Sequence, residues 1–308
     1  MAELKHLEKR LDFLSLPPDW KVAAVAVDWE GQPLVLFQEG KPPRPAPDAG
    51  MDATARWLRT PPNRHHLVHW RGGTCSQVAF ENPTALLTTA HVQPFGDGWL
   101  LAEKCGGHTR ICDQAGNVTR TLNLGDASEH VQTTPDGYIW VGYFDEGVFG
   151  NGIGSNGLVC FDSGGVPIFK YTEFAKQHDL PFIDDCYTLN VIESSVWVSY
   201  YSDFPLVWLK DFKLEGVWHS LGANQAVAIR GDRLVIFPAY RKRYLTSRTF
   251  ESSETAVWEL ADPSGKSLTR LAGDSPETTP TSLHVPFQCA ARNGRLYIYD
   301  ETALYELP

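Results

Sequence analysis

At 308 residues, 43% hydrophobic and 21% charged, the chain has an ordinary globular composition and can bury a large core, which excludes disorder for most of its length. Its formal charge of −10 argues against a dedicated binder of nucleic acid or of an anionic membrane, since those use basic surfaces to displace counterions. No apolar run approaches the roughly 18 residues that span a bilayer, and Met1-Ala2-Glu3-Leu4-Lys5-His6 lacks the apolar core of a signal peptide, so a cytoplasmic location is expected.

In chain order, Leu4, Leu7, Leu11 and Leu14 share one helical face and predict a short amphipathic helix over 3–14. Leu11 to Leu16 reads equally as an extended strand stopped by Pro17-Pro18, and an N-terminal strand would complete the final repeat and close the ring. Two inner strands follow over 22–28 and 34–38. Prolines at 42, 43, 45, 47, 61 and 62 then forbid helix and ladder over most of 41–64, which is expected to be a long loop.

The pattern that sets the architecture is His130-Val131-Gln132-Thr133-Thr134-Pro135-Asp136-Gly137-Tyr138-Ile139-Trp140-Val141-Gly142, a strand, a turn and a second strand. His91-Val92-Gln93-Pro94-Phe95-Gly96-Asp97-Gly98-Trp99 repeats it at His, Val, Gln, Asp and Gly. Looser copies stand at Ser194 to Val198, Gly231 to Ile236, Asn293 to Ile298 and Glu30 to Leu36, which makes six. A second strand pair follows each copy, as at Leu158 to Asp162 before Gly164-Gly165. Four strands in a unit of about 40 residues are the mark of a propeller blade, which cannot bury its faces alone. The expectation is an all-β, six-bladed β-propeller of four-stranded blades, closed by a short N-terminal helix or strand and forming one domain over 1–308.

The hairpin turns are short, whereas the connections from second to third strand and from blade to blade hold every long insertion: 39–64, 144–157, 173–183, 239–255 and 272–285. Function tends to sit where loops vary on a rigid scaffold, so that face is the expected site. Counting nine residues back from each second strand places Val25, His91, His130, Tyr187, Gln225 and Phe287 at equivalent inner-strand positions. His91 and His130 are therefore neighbours that either bond to nearby backbone or contribute, with Asp184 and Asp185, to a centre for a divalent metal ion. Cys105-Gly106-Gly107-His108 with Cys112 forms a partial zinc pattern without an evident fourth ligand; otherwise the six scattered cysteines read as reduced thiols.

Tyr143, Asp145, Glu146, Asp184, Asp185, Tyr201 and Asp203 fall at loop-face strand ends of blades three and four and make the expected binding site. Crowded carboxylates repel unless a cation or a shared proton offsets them. Arg241-Lys242-Arg243 on the next blade is a candidate internal counterion. The alternative is a hydrogen-bonded loop network with no ligand.

Asp136-Gly137-Tyr138-Ile139-Trp140-Val141-Gly142 resembles the core of the two-component-regulator propeller repeat. The segments Gly142 to Asn151, Ile183 to Tyr187 and Tyr201 to Val207 resemble a group of uncharacterised bacterial propeller proteins; that resemblance implies the fold and no activity. Two functions are thus carried forward. One is a non-enzymatic binding protein that engages a protein partner or small-molecule ligand through the loop face. The other is a metal-dependent hydrolase or lactonase-like enzyme at the channel mouth, against which stands the lack of any ring of Glu, Asn and Asp at equivalent positions or any Ser-His-Asp motif.

Overall fold

The computed structural model describes residues 3–40, 51–58, 64–71, 74–81, 89–219, 221–239, 245–250, 256–261, 288–300 and 302–308. The described strands form six sheets in the arrangement of a β-propeller, five of four strands and one of five. The chain divides into two compact units, Pro17–Cys186 and Met1–Leu16 with Tyr187–Pro308.

The chain opens with β1 (Glu3–His6), β2 (Glu8–Asp12) and a 3-10 turn, Phe13–Ser15. The expected helix over 3–14 is absent; an N-terminal strand does complete the last sheet, but it is Glu8–Asp12 and not the expected 11–16, where Phe13–Ser15 is a 3-10 turn. Leu7 is buried whereas Leu14 is 76% exposed, so the leucines do not share a face. Pairing to sheet edges late in the chain overrides the local helical spacing.

In the Pro17–Cys186 unit the first sheet runs β3 (Trp20–Val27), β4 (Pro33–Glu39), β5 (Arg64–Arg71) and β6 (Thr74–Glu81), inner to outer. A helix, α1 (Met51–Leu58), occupies the one proline-free part of the insertion between β4 and β5; all six prolines of that insertion lie outside the described residues. The second sheet runs β7 (Thr89–Phe95), β8 (Gly98–Glu103), β9 (His108–Cys112) and β10 (Val118–Asn123). The third runs β11 (Ser128–Thr133), β12 (Ile139–Tyr143), β13 (Leu158–Phe161) and β14 (Pro167–Lys170). The glycine-rich insertion between β12 and β13 folds as a single turn, α2 (Asp145–Val148), and a 3-10 turn, Ile153–Asn156. After β14 comes α3 (Tyr171–His178), which the sequence pattern did not predict. Its inward face carries Tyr171, Phe174 and Ala175, all buried.

The sheets meet face to face through apolar side chains. Trp99, Leu101 and Cys112 of the second sheet pack on Leu34, Leu36, Leu67 and Phe80 of the first. Leu100, Ala102 and Ile111 project to the other side and pack on Val131, Ile139, Val141 and Phe161 of the third. A strand buried on both faces needs an unbroken apolar run, and all six residues of β8 are buried. Each such side chain contributes about 1.5–3 kcal/mol on burial.

In the second unit the fourth sheet runs β15 (Asp185–Ile192), which begins at the unit boundary, β16 (Ser195–Tyr201), β17 (Leu206–Lys210) and β18 (Lys213–Trp218). The fifth contains β19 (Asn224–Arg230), β20 (Arg233–Pro238), β21 (Leu245–Thr249) and β22 (Ala256–Ala261). It departs from the four-stranded expectation, because β1 adds to β22 as a fifth, parallel strand. The sixth takes β23 (Gln288–Arg292), β24 (Arg295–Tyr299) and β25 (Ala303–Leu307), with β2 antiparallel to β25 as its outer strand. Leu7, between β1 and β2, packs among Ala226, Phe237, Leu296 and Leu307 of these two sheets.

One turn recurs with its chemistry intact. Asp28, Asp113 and Asp162 each accept, through Oδ1, the backbone N–H four residues on, and a left-handed glycine closes each turn at Gly31, Gly116 and Gly165. The aspartate satisfies the turn's donors and the glycine takes the positive φ without steric cost.

Candidate functional site

The loop-face ends of the inner strands are shaped by a repeated β-bulge. It falls between Val22 and Ala24, between Thr89 and His91, between Ser128 and His130, and between Asn224 and Ala226. The residues after the bulge, Ala24, His91, His130 and Ala226, are structurally equivalent. The expected equivalence of His91 with His130 holds, while Val25 and Gln225 were each one residue off, because the first apolar residue of the second strand does not stand at a fixed distance from the turn. Phe287 lies outside the described residues. A bulge re-aims the extra residue's side chain, and in β11 that residue is Glu129.

Glu129 forms an ion pair with Lys104, at the end of the neighbouring β8 strand. The Lys104 ammonium also stands 5.1 Å from the centroid of the Phe144 ring. Asp145 and Glu146 open α2 directly after Phe144, placed by backbone bonds from Phe144 N–H to the Ala127 carbonyl and from Val148 N–H to the Phe144 carbonyl. The Glu146 carboxyl is raised above its ordinary range, first by a hydrogen bond with Asp145, whose Oδ1 is buried without a hydrogen-bond partner.

Asp185 completes the group from the start of β15. Its seat depends on Gly142: a Cβ there would collide with Cys186 Sγ, so the bare backbone of β12 lets the chain at 185–186 lie close. Burial, then the charges of Glu129 and Asp145, raise the Asp185 carboxyl to about 7, against the opposing effect of Lys104; Glu146 adds to the rise. Among the described residues, four carboxylates thus share one electrostatic neighbourhood with one lysine, Lys104. Asp184, the residue before Asp185 in the chain, is half-buried.

Tyr143 is corrected as a binding residue. Its side chain is fully buried and its hydroxyl donates to the Leu124 carbonyl, so it supports the site from below. Tyr201 and Asp203 belong to the other unit. There Tyr201 is half exposed and its ring lies 5.6 Å from that of Phe204, while Asp203 and Phe204 both adopt positive φ. Arg241-Lys242-Arg243 lies outside the described residues.

His91 Nε2 is 3.1 Å from the Ser128 carbonyl, and burial lowers the imidazole to about 4, which leaves the ring neutral at physiological pH. No group of three or more His, Cys, Asp or Glu among the described residues is arranged to hold a metal ion. Cys105 is exposed in the turn after β8, Cys112 is buried in β9, and burial raises both thiols. They do not form the partial zinc centre that their spacing suggested.

Sequence reading missed Glu129 and Lys104. Glu129 adjoins the repeated histidine, but only the bulge turns its side chain to this neighbourhood; Lys104 carries no motif at all.

The YxzG family model matches residues 158–270. No curated protein matches the sequence. Among solved structures the chain is similar to Hsv2 of Kluyveromyces lactis, at 7% identity and a TM-score of 0.50 over 94% of this chain and 74% of that one. It is also similar to Hsv2 of Kluyveromyces marxianus, at 6% identity and a TM-score of 0.49 over 92% and 89%. At 7% identity, the likeness to the first is one of fold.

Proposed function

We propose that this propeller is a non-enzymatic binding protein, and that the loop ends bearing Glu129, Asp145, Glu146 and Asp185 receive a cationic group of a protein partner or small ligand. The observation that carries the reading is a charge imbalance among the described residues: four carboxylates gather on a regular scaffold around one lysine. Mutual repulsion of this kind is relieved by a bound cation or by a retained proton. The carboxylates interact without converging on one point, as a metal ion requires. Spread acceptors suit a guanidinium or ammonium, whose donors are themselves spread.

The test is calorimetric titration with an arginine tetrapeptide and with spermine, beside a glutamate tetrapeptide as control. The cationic probes bind, and Glu146→Gln with Asp185→Asn abolishes binding while the melting temperature stays level or rises. Absence of binding by either cationic probe overturns the reading. So does binding that survives the double replacement.

A further inference from the structure

Every outer strand of a propeller sheet exposes one edge of backbone donors and acceptors, and proteins protect such edges with charge, proline or a cover. Among the described outer strands, β10 carries Arg120, β14 carries Pro167 and Lys170, β18 carries Lys213 and Glu215, and β2 is largely charged. The outer strand β6 is mainly polar and ends on Glu81. β22, Ala-Val-Trp-Glu-Leu-Ala, has no more charge than β10 or β6, but five of its six residues are apolar, which leaves its edge the least protected by composition. It is also the strand that receives an extra one: β1 pairs with it in parallel, Glu3 opposite Trp258 through His6 opposite Ala261.

The two halves of the opening segment are held unequally. The β2 half is fastened by antiparallel pairing to β25 and by Arg10 Nε donating to Glu306 Oε2 at 2.6 Å, with Glu306 buried. Leu7 is fixed in the core between the fifth and sixth sheets. The β1 half has only four residues, in a parallel ladder, the weaker pairing per residue. Release of β1 up to Leu7 therefore uncovers the β22 edge and leaves the rest of the second unit's sheets intact.

We propose that the outer edge of β22 is a strand-accepting surface, covered in the monomer by β1, and that a second copy of this chain is the partner it fits once β1 lifts. The uncovered β22 edges of two copies then pair with each other or with each other's β1 strands. Self-pairing is favoured over capture of an unrelated chain because both complementary strands, edge and cover, are already present in each copy. The inference is independent of the carboxylate site.

The test uses the full chain carrying Lys5→Pro, which removes a backbone N–H from β1, and the parent as reference. Light scattering after size exclusion is expected to give a mass near that of the monomer for the parent and at least twice that for the variant at the same concentration. A synthetic peptide of residues 1–8 in excess should return the variant to the monomer. A variant that remains monomeric with native circular dichroism overturns the proposal, and so does association that the peptide does not reverse. Should the variant lose its circular dichroism, deletion of residues 1–5, which leaves Leu7 and β2 in place, is judged by the same two readings, and loss of fold there too overturns the idea that β1 is only a cover.

Discussion

The indole rings of Trp197 and Trp208 lie parallel across neighbouring strands, with centroids 4.8 Å apart and planes 3° from coincident. On β18, Gly216 stands opposite Trp208, and the Trp218 ring folds over that glycine; a Cβ at 216 would come within 2.5 Å of it. Phe250, just beyond β21 of the fifth sheet, lies 5.3 Å from Trp197 and 4.8 Å from Trp218. Trp197 thus joins the fourth and fifth sheets.

Trp197→Ala should cost about 3–5 kcal/mol, read as a lower midpoint in denaturant at unchanged slope. Gly216→Ala should cost about 1–3 kcal/mol through overpacking against Trp218. Trp208→Phe should be tolerated, because the Trp208 Nε1 is buried without a hydrogen-bond partner and its loss removes an unsatisfied donor. A Trp197→Ala protein that melts with the parent would disprove the packing role.

Stability should depend on pH through two opposed groups. An aspartate in an unfolded chain titrates near about 3.9, whereas folded Asp185 titrates at about 7. Over that window the folded chain holds the extra proton, so the Asp185 contribution is lost as pH rises toward 7. His91 has the reverse sign: its folded value of about 4 lies below its ordinary 6.5, so its contribution is lost as pH falls through that window. Asp185→Asn leaves the His91 slope unopposed. The variant's melting temperature should climb more steeply than the parent's up to about pH 6.5 and exceed it at pH 8. Parallel curves for the two proteins would show that Asp185 is already ionised at neutral pH.

Tyr143→Phe separates support from contact. Losing the bond to the Leu124 carbonyl should cost about 1 kcal/mol, while binding of the arginine tetrapeptide at saturating protein stability is unchanged. A tenfold loss of affinity with the fold intact would return Tyr143 to the binding surface.

We expect residues 1–308 to behave as one cooperative domain, as a closed repeat architecture predicts. Scanning calorimetry should show a single transition whose calorimetric and van't Hoff enthalpies agree. Two resolved transitions would make the two compact units independent.

The blade pattern was legible because it is local. Each hairpin carries its own turn chemistry: Asp28, Asp113 and Asp162 with Gly31, Gly116 and Gly165 specify their turns within five residues. Apolar runs such as Trp99-Leu100-Leu101-Ala102 announce strands buried on both faces. Six copies of that signal determine the fold class. Asp145, Glu146 and Asp185 were legible for the same reason, standing beside breaks in the repeat. What the tertiary structure alone decided lies in relations between distant segments. Residues 3–12 are strands because β22 and β25 offer edges some 250 to 300 positions later, a pairing invisible to a periodicity that equally fits a helix. Glu129 joins the carboxylates because a bulge turns it, and Lys104 joins through an ion pair across two sheets. Tyr143 was read as a surface residue because it stands two positions before Asp145 in the chain, whereas its own ring faces the core. Side-chain direction at a strand end depends on register, and register is settled by the neighbouring sheet.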